Sequence, residues 1–313
     1  VPLLLHHNFK TFWGYAAGII TGVAYGLNPL FAKPLMQQGV PIDTILFYRY
    51  AISVVLLAIT ILLSRQSFRV SAKQALRLLI LGVLYTCSSI FLFYSYNYIS
   101  SGVATTIVFL YPVFVALIMV FLKVYPTWQV WLSILLTFVG VAFLSHSDAS
   151  EGFRMSGLLF AAASALVYAF FIVIVNRSTR MRTVSSTVLT FYTLLVGTFI
   201  FLSMTLLKGQ SLTAGLMPSA APTGSMPMWS RWLCLIGLAV FPTIISTATL
   251  AASTRIIGAA KASVLGVFEP VTAIVVGTIV FREPFTGWIA AGIIITMAAI
   301  SFMVVTSKKV VQK

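Results

Sequence analysis

Between positions 45 and 63 the chain reads ILFYRYAISVVLLAITILL, nineteen residues in which Arg49 is the only charge. Its apolar residues do not alternate with polar ones, as a strand facing water would require, nor do they keep to one stripe of a helix. A helix of this length rises about 28 Å at ~1.5 Å per residue, which matches the ~30 Å hydrocarbon core of a bilayer. Comparable blocks stand at 12–30, 76–94, 103–122, 128–145, 157–175, 188–207, 232–252, 262–281 and 288–305. Of the 313 residues, 60% are apolar and 8% charged, against roughly 25% charged in soluble domains. Within lipid only helices or a closed barrel satisfy their own backbone, and a barrel needs alternating segments of about ten residues. The expected fold is an all-α membrane protein with ten transmembrane helices.

Ten crossings put both termini on one side. Placing them in the cytoplasm gathers fourteen of the twenty Lys and Arg there, including Arg65, Arg69, Lys73, Arg77, Arg177, Arg180, Arg182, Lys308, Lys309 and Lys313. The other side receives five, Lys33, Arg154, Lys208, Arg231 and Arg282, together with four of the five acids, Asp43, Asp148, Glu151 and Glu283. Positive loops resist translocation, so the expectation is a multi-pass protein of the cytoplasmic (inner) membrane with both termini cytoplasmic. The net charge of +15 is spread over short connections and forms no basic face, so nucleic acid is not an expected partner. Cys87 and Cys234 lie inside apolar blocks without a CxxC pair and indicate neither a disulfide framework nor a metal site. Residues 1–10 carry only a three-leucine run, too short for a secretory leader, so the first block is expected to direct insertion. The tryptophans stand at or near block ends, as headgroup anchors do. The connection 208–231, with Pro218, Pro222 and Pro227, reads as a flexible outer loop.

The two halves align on each other. Tyr25 falls over Tyr168, Phe47-Tyr48 over Phe191-Tyr192, Pro112-Val113 over Pro270-Val271 and Pro126 over Pro284, at offsets of 143, 144, 158 and 158. One insertion accounts for the change of offset, and an ordered series of this kind marks an internal repeat. Residues 1–149 are expected to form one five-helix unit and residues 150–313 a second. An odd number of crossings inverts the second copy, giving a 5+5 inverted-topology repeat suited to alternating access.

These residues also carry a resemblance. Trp13-Gly14 through Asn28-Pro29-Leu30-Phe31, Phe47-Tyr48-Arg49-Tyr50, and Ala104 to Leu117 with Tyr111-Pro112-Val113-Phe114 are similar to the ten-helix, EamA-like branch of the drug/metabolite transporter superfamily. So are Gly157 to Tyr168, Arg255-Ile256-Ile257-Gly258-Ala259, Phe268-Glu269-Pro270-Val271 and Glu283-Pro284. The resemblance implies two EamA-like repeats around a central cavity and movement of small metabolites, with amino acids and related compounds typical of bacterial members. One departure stands out. Where the second half has Arg282-Glu283-Pro284, the first has Lys123-Val124-Tyr125-Pro126 and no acid.

Several side chains are candidates for the substrate path. Glu269 lies deep in the ninth block, where a charge should face the bundle interior; it reads as a proton carrier or amine partner, or else as a hinge element beside Pro270. Arg49 either snorkels to the interface or grips a substrate carboxylate with its planar fork. Tyr25, Tyr85, Tyr111 and Tyr168 sit well inside their blocks and offer aromatic faces with hydroxyls, or serve as interhelical glue. Asn28 joins Pro29, and with Pro112 and Pro270 these interrupt helices at repeat-related places, marking hinges or gates against simple kinks. Ser88, Ser89, Ser246, Thr247 and Thr249 read as packing residues before ligands, although Thr247 is kept as a cavity candidate. Gly14, Gly18 and Gly22 form a small-residue face for close helix approach.

The function expected is a secondary transporter of a small organic metabolite, an amino acid or a related or aromatic compound, in the export direction. Protons are a candidate coupling partner and the bilayer is the medium; no cofactor or metal is expected, and the chain would work as a monomer or weak homo-oligomer. Carriage of phosphorylated or nucleotide-linked solutes is the alternative, disfavoured because the blocks hold one cation, Arg49. A receptor or structural subunit is the alternative of another class. Catalysis is not expected: Asp is absent from every block, and neither HExxH nor a Walker-type GxxxxGK[ST] occurs.

Overall fold

The computed structural model describes residues 2–147, 155–181, 183–213, 216 and 226–306, and among these every regular element is a helix. In chain order they are α1 (Pro2–Gly26), α2 (Asn28–Gln37), α3 (Ile42–Leu63), α4 (Ala72–Ser95), α5 (Ser101–Val108), α6 (Tyr111–Phe121) and α7 (Trp128–Ser147). Then follow α8 (Met155–Arg177), α9 (Ser186–Leu207), α10 (Met228–Ala239), a π-turn (Val240–Ile245), α11 (Ser246–Ile257), α12 (Ala259–Leu265), α13 (Phe268–Phe281) and α14 (Gly287–Thr306). Asp148, Glu151, Arg154, Arg182, Lys308, Lys309 and Lys313, all used in the charge count, lie outside the described residues, as do Pro218 and Pro222.

Eight runs are long and apolar enough to cross a membrane: Ile42–Leu63, Ala72–Ser95, Ser101–Phe121, Met155–Arg177, Ser186–Leu207, Met228–Ile257, Lys261–Phe281 and Gly287–Thr306. Trp128–Leu144 is a shorter apolar helix. The first block, expected to end at residue 30, is cut at Leu27 and continues as α2 to Gln37. Burial is inverted relative to a soluble protein. Phe121 and Leu207 are 86% and 87% exposed, while Asn28, Thr44, Arg49, Ser53, Thr86 and Ser164 are buried. This is what lipid outside and polar contacts between helices produce.

The helix breaks have a common cause. A proline lacks the N–H that would bond four residues back. Pro29 leaves the Tyr25 carbonyl, and the Asn28 Nδ2 donates to it at 2.9 Å. Before Pro112 the chain tightens at Phe109 and Leu110, with Leu110 N donating to Ile107 O at 3.0 Å and Val113 N to Leu110 O at 2.9 Å. Before Pro270 the same happens at Gly266 and Val267; the Gly266 carbonyl, which Pro270 cannot reach, accepts from Glu269 N at 2.9 Å. The three prolines therefore sit in the first turns of α2, α6 and α13, just after the breaks.

Packing follows small and hydroxylated residues. α7 lies along α14, α3 along α9, α5 along α13, α4 along α8 and α1 along α11. Gly14, Gly18, Gly22 and Gly26 form the contact face of α1, as the four-residue spacing indicates. A Cβ on Gly14 would meet Ile257, on Gly18 Leu265, on Gly22 the Phe268 Cβ at 2.8 Å, and on Gly26 the Glu269 carbonyl oxygen at 2.4 Å. Hydroxyls join the same helix pairs: Thr21 Oγ1 to Thr249 Oγ1 at 2.8 Å, and Ser88 Oγ to Ser164 Oγ at 3.1 Å. The packing reading of Ser88 and Thr249 agrees with these contacts.

Candidate functional site

The interior where α1, α3, α4, α8, the π-turn and α13 approach one another holds most of the candidate residues. Arg49, in the second turn of α3, is 1% exposed. It does not snorkel; it points inward. Its Nε donates to Thr243 Oγ1 at 3.2 Å and its guanidinium lies 5.9 Å from the centre of the Phe93 ring. Its Nη2 is buried and has no partner among the described residues. Glu269 occupies the first turn of α13, where the partial positive charge of a helix N-terminus favours an anion. It is half-buried, and neither Arg49 nor Glu269 has a charged partner among the described residues.

Tyrosines line the space between these two charges. Tyr111 packs edge-on against Tyr168 with ring centres 5.0 Å apart, Tyr168 lies 6.3 Å from Tyr85, and Tyr85 lies 6.1 Å from Tyr50. Phe171 stacks on Tyr168 at 5.8 Å and closes one side. Tyr25 is within electrostatic reach of Arg49, Glu269, Tyr85 and Tyr168, which puts it at the centre of the group. Glu269 also reaches Tyr96, Tyr111 and Tyr168. Asn28 is next to this group at the start of α2; its Oδ1 is buried without a partner. Thr247 stands apart from the ring of tyrosines. Its hydroxyl donates to the carbonyls of Thr243, at 2.7 Å, and Ile244, and so supports the π-turn.

Thr243 is the residue that reading the sequence passed over. The signal available was Pro242, which, inside an apolar block, must free the Leu238 carbonyl. The Thr243 hydroxyl donates to that carbonyl at 3.2 Å and accepts from Arg49. Ser53, one turn after Arg49, donates to the carbonyls of Arg49 at 2.7 Å and Ala239 at 3.4 Å, which fastens α3 to the same turn.

Two further polar clusters lie where the ends of helices meet. Glu283 accepts from the backbone N–H and the hydroxyl of Ser101, at 3.1 and 2.9 Å, and pairs with Lys33. Asp43, in the first turn of α3, pairs with Lys208 beside a cleft of about 270 Å³ that Met36, Val40, Tyr94 and Gln210 also line. The hydrogen bond to Asp43 raises the Lys208 pKa above its ordinary 10.5. No group of three or more His, Cys, Asp or Glu that could hold a metal is present among the described residues.

The sequence pattern of EamA-like transporters matches residues 12–146 and 155–305. The chain belongs to the EamA-like transporter family. An uncharacterized transporter of Archaeoglobus fulgidus is 27% identical over 163 residues, 51% of this chain and 53% of that protein, so the alignment spans about half the length of the curated relative. A solved crystal structure of a protein superposes with a TM-score of 0.65 at 17% identity, covering 95% of this chain and 98% of that one. At that identity the likeness is one of fold. As a member of the EamA-like family the protein is a multi-pass, all-helical membrane protein of a transporter family.

Proposed function

We propose that the protein is a secondary carrier that moves an amino acid, or a related or aromatic compound, out across the cytoplasmic (inner) membrane by alternating access. The observation that carries this reading is the buried guanidinium of Arg49 and the half-buried carboxylate of Glu269, each without a charged partner, on a space lined by tyrosines. Uncompensated charge inside a bilayer protein is costly and is expected to face a solute path. A solute carrying a carboxylate and an amine would meet complementary groups at the two ends, and the tyrosine rings suit an apolar or aromatic middle. Glu269 is also the group suited to carry a proton in exchange.

Alternating access rests on the two halves, 1–149 and 150–313, forming a 5+5 inverted repeat of ten crossings with both termini cytoplasmic. Three features support it. The pairings of α4 with α8 and α1 with α11 exchange when each half is swapped for the other, while α3–α9, α5–α13 and α7–α14 map onto themselves. The breaks at Phe109-Leu110 and Gly266-Val267 fall at equivalent places. Thr21 and Ser164, equivalent at the offset of 143, each hold a hydroxyl across to the partner helix. In this register Tyr25 matches Tyr168, and Tyr111 matches Glu269. The paired breaks are then the hinges, with Pro29, Pro112 and Pro270 fixing the start of each moving half-helix.

Purified protein in proteoliposomes, tested for counterflow with a panel of labelled amino acids at two pH gradients, examines the reading. Counterflow of at least one of them, lost in Arg49→Gln, is the expected result. Absence of counterflow across the whole panel would sink the amino-acid assignment, and absence with other metabolites as well would favour a receptor or structural subunit.

A further inference from the structure

We infer that Thr243, held by the π-turn Val240–Ile245, is the positioning residue that aims Arg49, so that the Nη1–Nη2 edge of its guanidinium is the face offered to a solute carboxylate. This rests on the reading of Arg49 as the solute anchor. A guanidinium can bind a carboxylate side-on, through Nε and Nη2, or end-on, through the two Nη groups. In this protein Nε is committed to Thr243 Oγ1 at 3.2 Å, and Nη2 is buried without a partner among the described residues. The side-on fork is closed and the end-on fork is open.

The threonine can do this because of where the turn places it. Pro242 has no N–H for the Leu238 carbonyl. The helix widens over six residues, and the Thr243 hydroxyl donates its one proton to Leu238 O at 3.2 Å. With that proton spent, only the oxygen lone pairs face Arg49, so Thr243 acts there as an acceptor of fixed direction. The hydroxyl is 1% exposed by residue, and Phe93 covers the guanidinium at 5.9 Å, which limits rotation about the last side-chain bonds. Ser53 ties α3 to Ala239 O and keeps the two helices in register. Thr247 donates to Thr243 O at 2.7 Å and holds the widened turn from the other side. A side chain aimed by contacts of this kind discriminates planar two-oxygen anions from amides and hydroxyls, because the fork matches only the former.

Two measurements on the full chain test the inference. In nanodiscs with 15N-arginine, the Arg49 Nε–H resonance, assigned by its loss in Arg49→Lys, reports the contact without reference to transport. Its exchange with solvent should be about tenfold faster in Thr243→Val, equivalent to ~1.4 kcal/mol of lost protection, and close to parent in Thr243→Ser, which keeps the hydroxyl. In proteoliposomes, counterflow of the labelled amino acid with the strongest parental signal should show a KM raised about tenfold in Thr243→Val with kcat within about twofold, as expected for loss of a hydrogen bond to a charged group. Thr243→Ser should restore both. Should Thr243→Val not reach the membrane, Thr243→Cys, with a weaker acceptor of similar size, takes its place. Unchanged Nε–H exchange overturns the positioning role. A KM within about twofold of parent in Thr243→Val, while Arg49→Gln is inactive, overturns the claim that aiming matters and leaves Arg49 as anchor. Normal counterflow in Arg49→Gln removes the anchor itself, and if no amino acid gives counterflow the exchange measurement alone decides whether Thr243 holds Arg49.

Discussion

Replacing Glu283 by glutamine should loosen the end of the bundle where α2, α5 and the turn after α13 meet. The Glu283 carboxylate accepts from the Ser101 N–H at 3.1 Å and the Ser101 hydroxyl at 2.9 Å, and it pairs with Lys33, the two side chains being 11% and 16% exposed. A hydrogen bond to a charged group contributes roughly 1.5–3 kcal/mol, and a negative charge at the first turn of a helix adds ~0.3–1 kcal/mol. Glutamine keeps one acceptor oxygen for Ser101, but it turns the second position into a donor facing donors and leaves Lys33 without its partner. Breaking a fully buried pair costs roughly 3–5 kcal/mol; because both side chains here reach solvent in part, the loss should be about 2–3 kcal/mol. Equilibrium unfolding in mixed detergent micelles of the parent, Glu283→Gln, Lys33→Met and the double variant measures it. The double variant should be less destabilised than the sum of the two single ones by at least about 1 kcal/mol. Additive effects, or a loss below about 0.5 kcal/mol in Glu283→Gln, would refute the reasoning, since the three segments would then be held by other contacts.

Other perturbations follow from the same structure. Gly26→Ala sets a methyl 2.4 Å from the Glu269 carbonyl oxygen, so overpacking should cost about 1–3 kcal/mol and lower the thermal midpoint in detergent, whereas Gly209→Ala, with nothing nearby but a φ of +63°, should cost less. The raised Lys208 pKa means that its pairing with Asp43 stabilises fully below the unfolded lysine pKa of ~10.4 and fades as pH climbs through the higher folded value. Lys208→Met should therefore lower the midpoint by equal amounts at pH 6 and pH 9, and a penalty confined to one of those pH values would contradict the pairing. Glu269→Gln should abolish the response of counterflow to an imposed pH gradient; transport with unchanged rate and unchanged pH response would remove Glu269 from the solute and proton path.

The parts of this architecture that announce themselves in sequence are those that lipid cannot hide. Proline in an apolar block must break a helix, and Pro29, Pro112 and Pro270 each follow one. Glycine every fourth residue has little purpose except contact, and Gly14, Gly18 and Gly22 make it. Orientation about a helix axis is harder to read. A helix apolar on all sides carries no stripe to say which face looks inward, so Arg49 near the end of its block was equally consistent with snorkelling until its neighbours on the π-turn were seen. Thr243 escaped notice for a related reason. Its importance comes from a widening of the helix that depends on Pro242 and on what α3 presents across the gap, and one threonine among Ser246, Thr247 and Thr249 does not stand out by composition. Asp43 was placed in a connection because the apolar run begins at Ile45, yet α3 starts at Ile42 and gains a favourable charge in its first turn.

The π-turn also sets how this helix could be altered. α4 runs unbroken from Ala72 to Ser95, whereas Met228–Ile257 carries a six-residue widening at Val240–Ile245. Such a widening accommodates one residue more than an α-helix of equal rise, so deleting a single residue there would rewind it and rotate everything after it by about 100°. Thr249 would swing away from Thr21, and the face of α11 that meets the glycines of α1 would turn toward lipid. Gaps and insertions of one residue, more than exchanges of side chain, are thus the changes to which this stretch is least tolerant.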